Sequence, residues 1–104
     1  MHNVSDELKE LLTNAGTKLV VIDFFAVWCG PCKQIAPFID ELSKKYPNVV
    51  FAKVDVDNDS LTDALKEYDI NCMPTFKFIK NKQVLETLEG ANGSKIEEAV
   101  KKHA

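Results

Sequence analysis

The sequence contains no arginine, so all 13 basic side chains are lysine. Arginine is the usual reader of phosphate and guanine through paired hydrogen bonds. Its absence, with 16 acidic residues against 13 basic ones and a net charge of −3, argues against a nucleic-acid partner. No run approaches the ~18 apolar residues of a membrane-spanning helix, so no membrane partner is expected. Residues 1–7 hold no basic segment followed by an apolar one. Residues 101–104 carry neither an ER-retention tetrapeptide nor a prenylation cysteine. The expected location is therefore cytoplasmic. Cysteine is scarce as well. Three cysteines are too few, and odd in number, for a disulfide scaffold. In a reducing compartment such cysteines are more often catalytic or metal-binding than structural.

What remains is an ordinary globular composition. The chain has 104 residues, 45% of them hydrophobic, which predicts one domain over residues 1–104 with a single core and excludes intrinsic disorder. Neither repeats nor low-complexity tracts divide it. Leu8, Leu11, Leu12 and Ala15 repeat as i, i+3, i+4, i+7, a helix stripe that Gly16 can end in a left-handed cap. Residues 19–26 form a near-continuous apolar run, which predicts a strand buried on both faces. A helix is expected over about 30–46, with Ile35, Phe38, Ile39 and Leu42 inward and a kink at Pro37. Residues 49–56 predict a second buried strand. Residues 57–60 supply cap oxygens for a helix containing Leu61, Ala64 and Leu65. Residues 75–80 and 84–88 alternate, and Asn81-Lys82 between them suggests a hairpin. Ser94-Lys95-Ile96-Glu97 has the form of a capping box opening a last helix. Two buried strands joined by a helix imply a parallel βαβ unit. With the hairpin added, the expected class is α/β: a mixed central sheet of four to five strands with helices on both faces.

Trp28-Cys29-Gly30-Pro31-Cys32-Lys33 stands where the first buried strand turns into the second helix. Cysteines three apart at a helix start have Cα atoms about 5 Å apart, which suits a disulfide. Cys29 falls at the helix N-terminus, where free N–H groups and the macrodipole favour an anion and make the thiol more acidic. Pro31 sits where its missing N–H costs little. The thiolate is the nucleophile of disulfide exchange, so Cys29 is primed to attack and Cys32 can close the ring. Two other readings compete. A structural zinc site needs four ligands, and only Cys72, His2 and His103 remain, without a second closely spaced pair. A purely structural disulfide across so short a loop would stabilise little. Asp55-Val56-Asp57-Asn58-Asp59 imitates the start of a calcium loop. Ser60 and Lys66, however, stand where glycine and a bidentate glutamate are required.

The chain resembles the thioredoxin family in its short, animal-type form. The motif 28–33 after Asp23-Phe24-Phe25-Ala26, together with Lys53-Val54-Asp55-Val56-Asp57, Met73-Pro74-Thr75-Phe76 and Gly90-Ala91, carries the resemblance over nearly the whole length. Two departures stand out. The start is a few residues short, which reduces the usual first edge strand to about residues 2–4. The stretch between Asp57 and Cys72 is slightly longer than usual. The resemblance implies the thioredoxin fold and a protein-disulfide reductase in which Cys29 attacks a substrate disulfide and Cys32 resolves the mixed disulfide. It implies no bound cofactor, with electrons drawn from NADPH through a thioredoxin reductase. It also implies disulfide-containing protein substrates, peroxiredoxins among the candidates.

Strand alternation places Asp23 on one face with Leu19, Val21 and Phe25, so burial should raise its proton affinity. The resemblance assigns the matching residue to proton transfer with the resolving thiol; a hydrogen-bonded structural aspartate is the plainer alternative. Lys53, placed at the opening of the neighbouring strand, matches a lysine near the buried carboxylate, although a strand-end lysine is usually just solvated. Pro74 is expected to be cis, leaving the Met73 backbone to pair with an extended substrate segment. Trp28, Gly30, Pro31, Met73, Thr75, Gly90 and Ala91 would complete a shallow, mostly uncharged groove, although Met73 could equally fill core space.

Cys72 falls at the rim of that groove. An exposed thiol there could meet its copy in a second molecule about a two-fold axis. The resemblance extends this behaviour to Cys72: monomer when reduced, Cys72-linked homodimer when oxidised. The alternative is an inert thiol filling space. Two further functions share the fold. Gly30-Pro31 argues against an oxidising or isomerising domain, whose central dipeptide usually carries histidine. A redox-gated binding module would use the same groove without turnover.

Overall fold

The apolar run at 19–26 becomes strand β1, Val20–Phe25, whose first five residues are buried. In this computed structural model the described residues are 4–25, 29–55 and 74–104. In chain order the elements are α1 (Val4–Ala15), β1, α2 (Gly30–Lys45), β2 (Val50–Asp55), β3 (Thr75–Lys80), β4 (Gln83–Glu89) and α3 (Gly93–His103). The strands form one sheet in the order β2-β1-β3-β4. β1 runs parallel to β2, with Val20 opposite Val50 and Asp23 opposite Lys53. It runs antiparallel to β3, with Asp23 opposite Phe76 and Phe24 opposite Thr75. β3 and β4 are antiparallel. Residues 2 and 3 of the expected edge strand lie outside the described residues, and Val4, its last residue, instead opens α1. The expected helix after residue 60 lies outside them too.

The period-two rule separates the core into two faces. Val20, Ile22, Phe24, Val54 and Ile79 meet Leu11, Leu12 and Ala15 of α1. Leu19, Val21, Phe76 and Phe78 meet Ile35, Ile39 and Leu42 of α2 and Ile96, Ala99 and Val100 of α3. Each fully buried side chain of this size contributes roughly 1.5–3 kcal/mol of hydrophobic stabilisation. Helices therefore cover both faces, as expected.

The structure corrects four details. β2 is an edge strand of the described sheet and is not buried throughout: Val50, Phe51 and Ala52 are half-buried and Lys53 is exposed. Lys53 is also the fourth residue of that strand and does not open it. β3 does not alternate between core and solvent, because it is interior to the sheet and its first five residues are buried. They include Lys77, which lays its stem in the protein and donates from Nζ to Thr87 Oγ1 at 3.0 Å. Helix α3 is capped by Asn92, whose side chain accepts from Lys95 N–H at 3.2 Å, and not by Ser94. Glu97, the far end of the expected capping box, instead takes Lys45 and the Tyr46 hydroxyl.

The hairpin appears where Asn81-Lys82 predicts it. Both residues have positive φ, 53° and 65°, and Lys80 pairs with Gln83 across them. A two-residue loop with both φ positive matches the right-handed twist of its strands. Helix α2 runs through Pro37 to its C-cap at Tyr46, with Lys44 and Lys45 in the last turn beside the negative end of the helix dipole.

Candidate redox site

The site forms where β1 ends and α2 begins. Cys29 is the N-cap of α2, with φ −87° and ψ 113°, and Gly30 and Pro31 make the first exposed turn. This break in dihedral angles directs the first helical N–H groups back at the cap. Cys32 N–H donates to Cys29 Sγ at 3.2 Å. Cys29 and Cys32 are joined by a disulfide, with Cα atoms 5.3 Å apart, close to the separation expected from their spacing. Phe25, the last residue of β1, packs against both cysteines. The two cysteines are almost equally hidden, at 6% and 4% exposure, so accessibility does not distinguish them. Helix position does: Cys29 Sγ receives the N–H and Cys32 supplies it. A negative charge on Cys29 Sγ would face both this donor and the positive end of the α2 dipole.

Asp23 lies two residues before Phe25, on the same face of β1 by alternation. It is 4% exposed, and its Oδ1 is buried with no hydrogen-bond partner among the described residues. Loss of hydration raises its pKa from 3.8 to about 6, and the positive charge of Lys53 partly offsets that rise. Lys53 is its register partner on β2. The Lys53 ammonium donates to Asp40 Oδ1 of α2 at 3.4 Å. Asp40 was not singled out from the sequence, where an acid on a solvated helix face looks ordinary. One signal was available: residues 32, 36 and 40 fall on one i, i+4 row of α2, which aligns Asp40 with Cys32.

The other side of the site is a backbone junction. Thr75, buried, neighbours Phe24 across β1 and β3, so the start of β3 lies beside the end of β1. Pro74, also buried, accepts the Gly90 N–H at 2.8 Å. Gly90 makes this contact with φ +94°, a conformation that a side chain at Cβ disfavours. Ala91 follows it and is exposed. The structure therefore brings Cys29, Cys32, Asp23, Pro74, Thr75 and Gly90 to one end of the sheet, with Gly30 and Pro31 at the surface. Trp28, Cys72 and Met73 lie outside the described residues.

Among the described residues no group of three or more His, Cys, Asp or Glu side chains could hold a metal ion. None of the described helices is long and apolar enough to cross a membrane. Chemically, the arrangement offers a two-electron dithiol–disulfide couple with a buried carboxyl group two strand positions from the residue that packs on it.

Known proteins share both the sequence and this architecture. The Thioredoxin family model matches residues 1–102. Thioredoxin from Ophiophagus hannah is 50% identical over 97 residues, covering 93% of this chain and 90% of that protein. Thioredoxin from Homo sapiens is 50% identical over 92 residues, covering 88% and 86%. The X-ray structure of Fasciola hepatica thioredoxin superposes with a TM-score of 0.91 at 42% identity, covering 96% of this chain and 94% of that one.

Proposed function

Since the chain belongs to the thioredoxin family and is a dithiol–disulfide oxidoreductase working through Cys29 and Cys32, we propose that it reduces the disulfides of cytoplasmic protein substrates, with Cys29 attacking and Cys32 resolving. Residues 1–104 act as one domain. The observation that carries the assignment is the N-cap geometry, in which Cys29 Sγ accepts the Cys32 N–H at the head of α2.

In the reduced protein the Cys29 thiolate attacks one sulfur of a substrate disulfide. The Cys29–substrate S–S bond forms, the substrate bond breaks, and the departing thiolate takes a proton from solvent. The Asp23 carboxylate then accepts the Cys32 proton. Cys32 attacks Cys29 Sγ, the intramolecular disulfide forms as the Cys29–substrate bond breaks, and the second substrate sulfur leaves as a thiolate that takes the proton from Asp23, which returns to the carboxylate. Two electrons and two protons pass to the substrate. Lys53 tempers the proton affinity of Asp23. Pro74, Thr75, Gly90 and Ala91, with Gly30 and Pro31, hold an extended substrate segment by its backbone. The family resemblance adds Trp28 and Met73, which lie outside the described residues, to the substrate-binding set.

The electrons reside in the two sulfurs, so the chain needs no bound cofactor. A thioredoxin reductase restores the dithiol at the expense of NADPH, and peroxiredoxin disulfides are one substrate class. The reduced chain is a monomer, and oxidation links two copies through Cys72. A coupled assay tests the central reading. NADPH, a thioredoxin reductase, a model protein disulfide and this chain together should consume NADPH, and omission of the chain should abolish consumption. NADPH loss that is the same with and without the chain, when the reductase is active on a control thioredoxin, overturns the proposal.

A further inference from the structure

Lys53 stands near two carboxylates, and its ammonium bonds to the outer one. Nζ lies 3.4 Å from Asp40 Oδ1, and these two side chains are 46% and 63% exposed. Asp23, across the strand pair, is 4% exposed and keeps its Oδ1 without a hydrogen-bond partner among the described residues. The lysine charge is thus drawn to the solvent side of α2, although its backbone is in register with the buried acid. The residue that draws it belongs to the helix that carries Cys32, on the same i, i+4 row.

We propose that Asp40 is a positioning residue for disulfide exchange: by holding Lys53 at the rim of α2, it keeps the ammonium off Asp23 and preserves a buried base able to take the Cys32 proton. The inference rests on the reading of Asp23 as that proton acceptor. A cation in direct contact with a carboxylate makes it a weaker base, and the effect fades with distance. If Lys53 paired fully with Asp23, the carboxylate would be too weak a base for a thiol proton. If Lys53 were lost, burial alone would set its proton affinity and raise it.

Among the described residues, the other groups facing Asp23 do not supply this control. Its neighbour from β3 is Phe76. Helix α3 presents Ile96, Ala99 and Val100 to this face of the sheet, and α2 presents Ile35, Ile39 and Leu42. At the head of α2 are Cys29 and Cys32, which do not titrate while joined. From β2 comes Lys53.

The test follows the Asp23 carboxyl-carbon resonance against pH in the oxidised protein, where the two site cysteines are silent. Asp40→Asn should lower the Asp23 midpoint by about half a pH unit. Asp40→Glu restores the charge and should return the midpoint toward wild type. Lys53→Met should raise it, and Asp40→Asn added to Lys53→Met should leave it there. A wild-type midpoint in Asp40→Asn overturns the inference. So does an equal downward shift with and without Lys53, because Asp40 then acts by its own field. The same variants are assayed for reduction of a model protein disulfide across pH. A rate profile that moves with the resonance supports the proposal. A profile that stays put while the resonance moves overturns Asp23 as proton acceptor, and with it the part of Asp40 in exchange, leaving the charge coupling alone intact.

Discussion

The two ends of helix α2 treat charge in opposite ways. At its N-terminal end stands a buried acid, Asp23, with one carboxylate oxygen lacking a hydrogen-bond partner among the described residues. At its C-terminal end Glu97, on α3, accepts from Lys45 at 2.5 Å and from the Tyr46 hydroxyl at 3.2 Å. Beyond it the last turn of α3 is held by His103 Nε2 against Glu86 Oε1 at 2.8 Å, and by Lys80 Nζ donating to the His103 carbonyl at 3.1 Å. The proton affinities diverge accordingly. Burial raises the pKa of Asp23 to about 6, whereas the hydrogen bond from Lys45 holds Glu97 below its ordinary value. The acid proposed to exchange a proton near neutral pH is left short of partners among the described residues; groups that join elements are given them. On the proposed role of Asp23 the redox end gives up stability for reactivity, and the far end anchors the helix that covers the sheet.

The sharpest way to break this contrast is to remove one sulfur at a time. Cys29→Ser should abolish reduction of protein disulfides and trap no substrate. Cys32→Ser should also lose turnover, but should accumulate mixed disulfides through Cys29. Non-reducing electrophoresis after mixing with a disulfide substrate separates the two. Equal trapping by both variants would show that the helix position does not select the attacking sulfur. The far end, with no sulfur among its described clasp residues, should trap nothing in either variant.

Next in size is Asp23→Asn. A folded pKa of about 6 against an ordinary value of 3.8 means that the native state binds more protons than the unfolded state between those limits. Stability from this group is therefore full below about pH 4 and declines as pH rises through about 6. The shift corresponds to a penalty on the order of 2–3 kcal/mol at neutral pH, which the amide removes. Urea denaturation should find Asp23→Asn more stable than wild type at pH 7 and nearly equal to it at pH 4. Its disulfide exchange should be slower. An Asn variant that is less stable at pH 7 and exchanges normally would make Asp23 a structural residue.

Much of this end of the molecule was legible because its signals are local. A two-cysteine spacing at a strand–helix boundary, an acid interrupting an apolar run and an Asn-Lys pair between two alternating segments each describe their own geometry. Signals that depend on distant neighbours were not legible. The apolar run at 49–56 says nothing of whether its strand is central or at an edge, and β2 proves to be an edge of the described sheet. Lys77 reads as a solvent-facing residue until Thr87 of β4 is seen to receive it. Ser94 and Glu97 spell a cap, but Asn92 caps the helix two residues earlier and Glu97 is drawn to α2. Asp40 meets Lys53 across 13 residues of chain, so the pairing exists only once α2 lies beside β2.

The smallest expected effect lies at the far end and sharpens the contrast from the other side. Lys45 and Glu97 are bonded at 2.5 Å, but their side chains are 60% and 24% exposed. In physiological salt such a pair is screened by water and ions, and holding two long side chains together costs rotamer freedom. Glu97→Gln keeps an oxygen that accepts from Tyr46 and from Lys45, so only the charge is lost. Because the folded pKa of Glu97 is lowered, its contribution is present above the ordinary carboxylate range and is lost on acidification. At pH 7 the urea midpoint of Glu97→Gln should match wild type within error, and disulfide exchange should be unchanged. The comparison fails if removing this exposed charge shifts the midpoint as far as Asp23→Asn does. In that case the clasp between α2 and α3 would be a principal source of stability, and the two ends would differ in chemistry without differing in energetic weight.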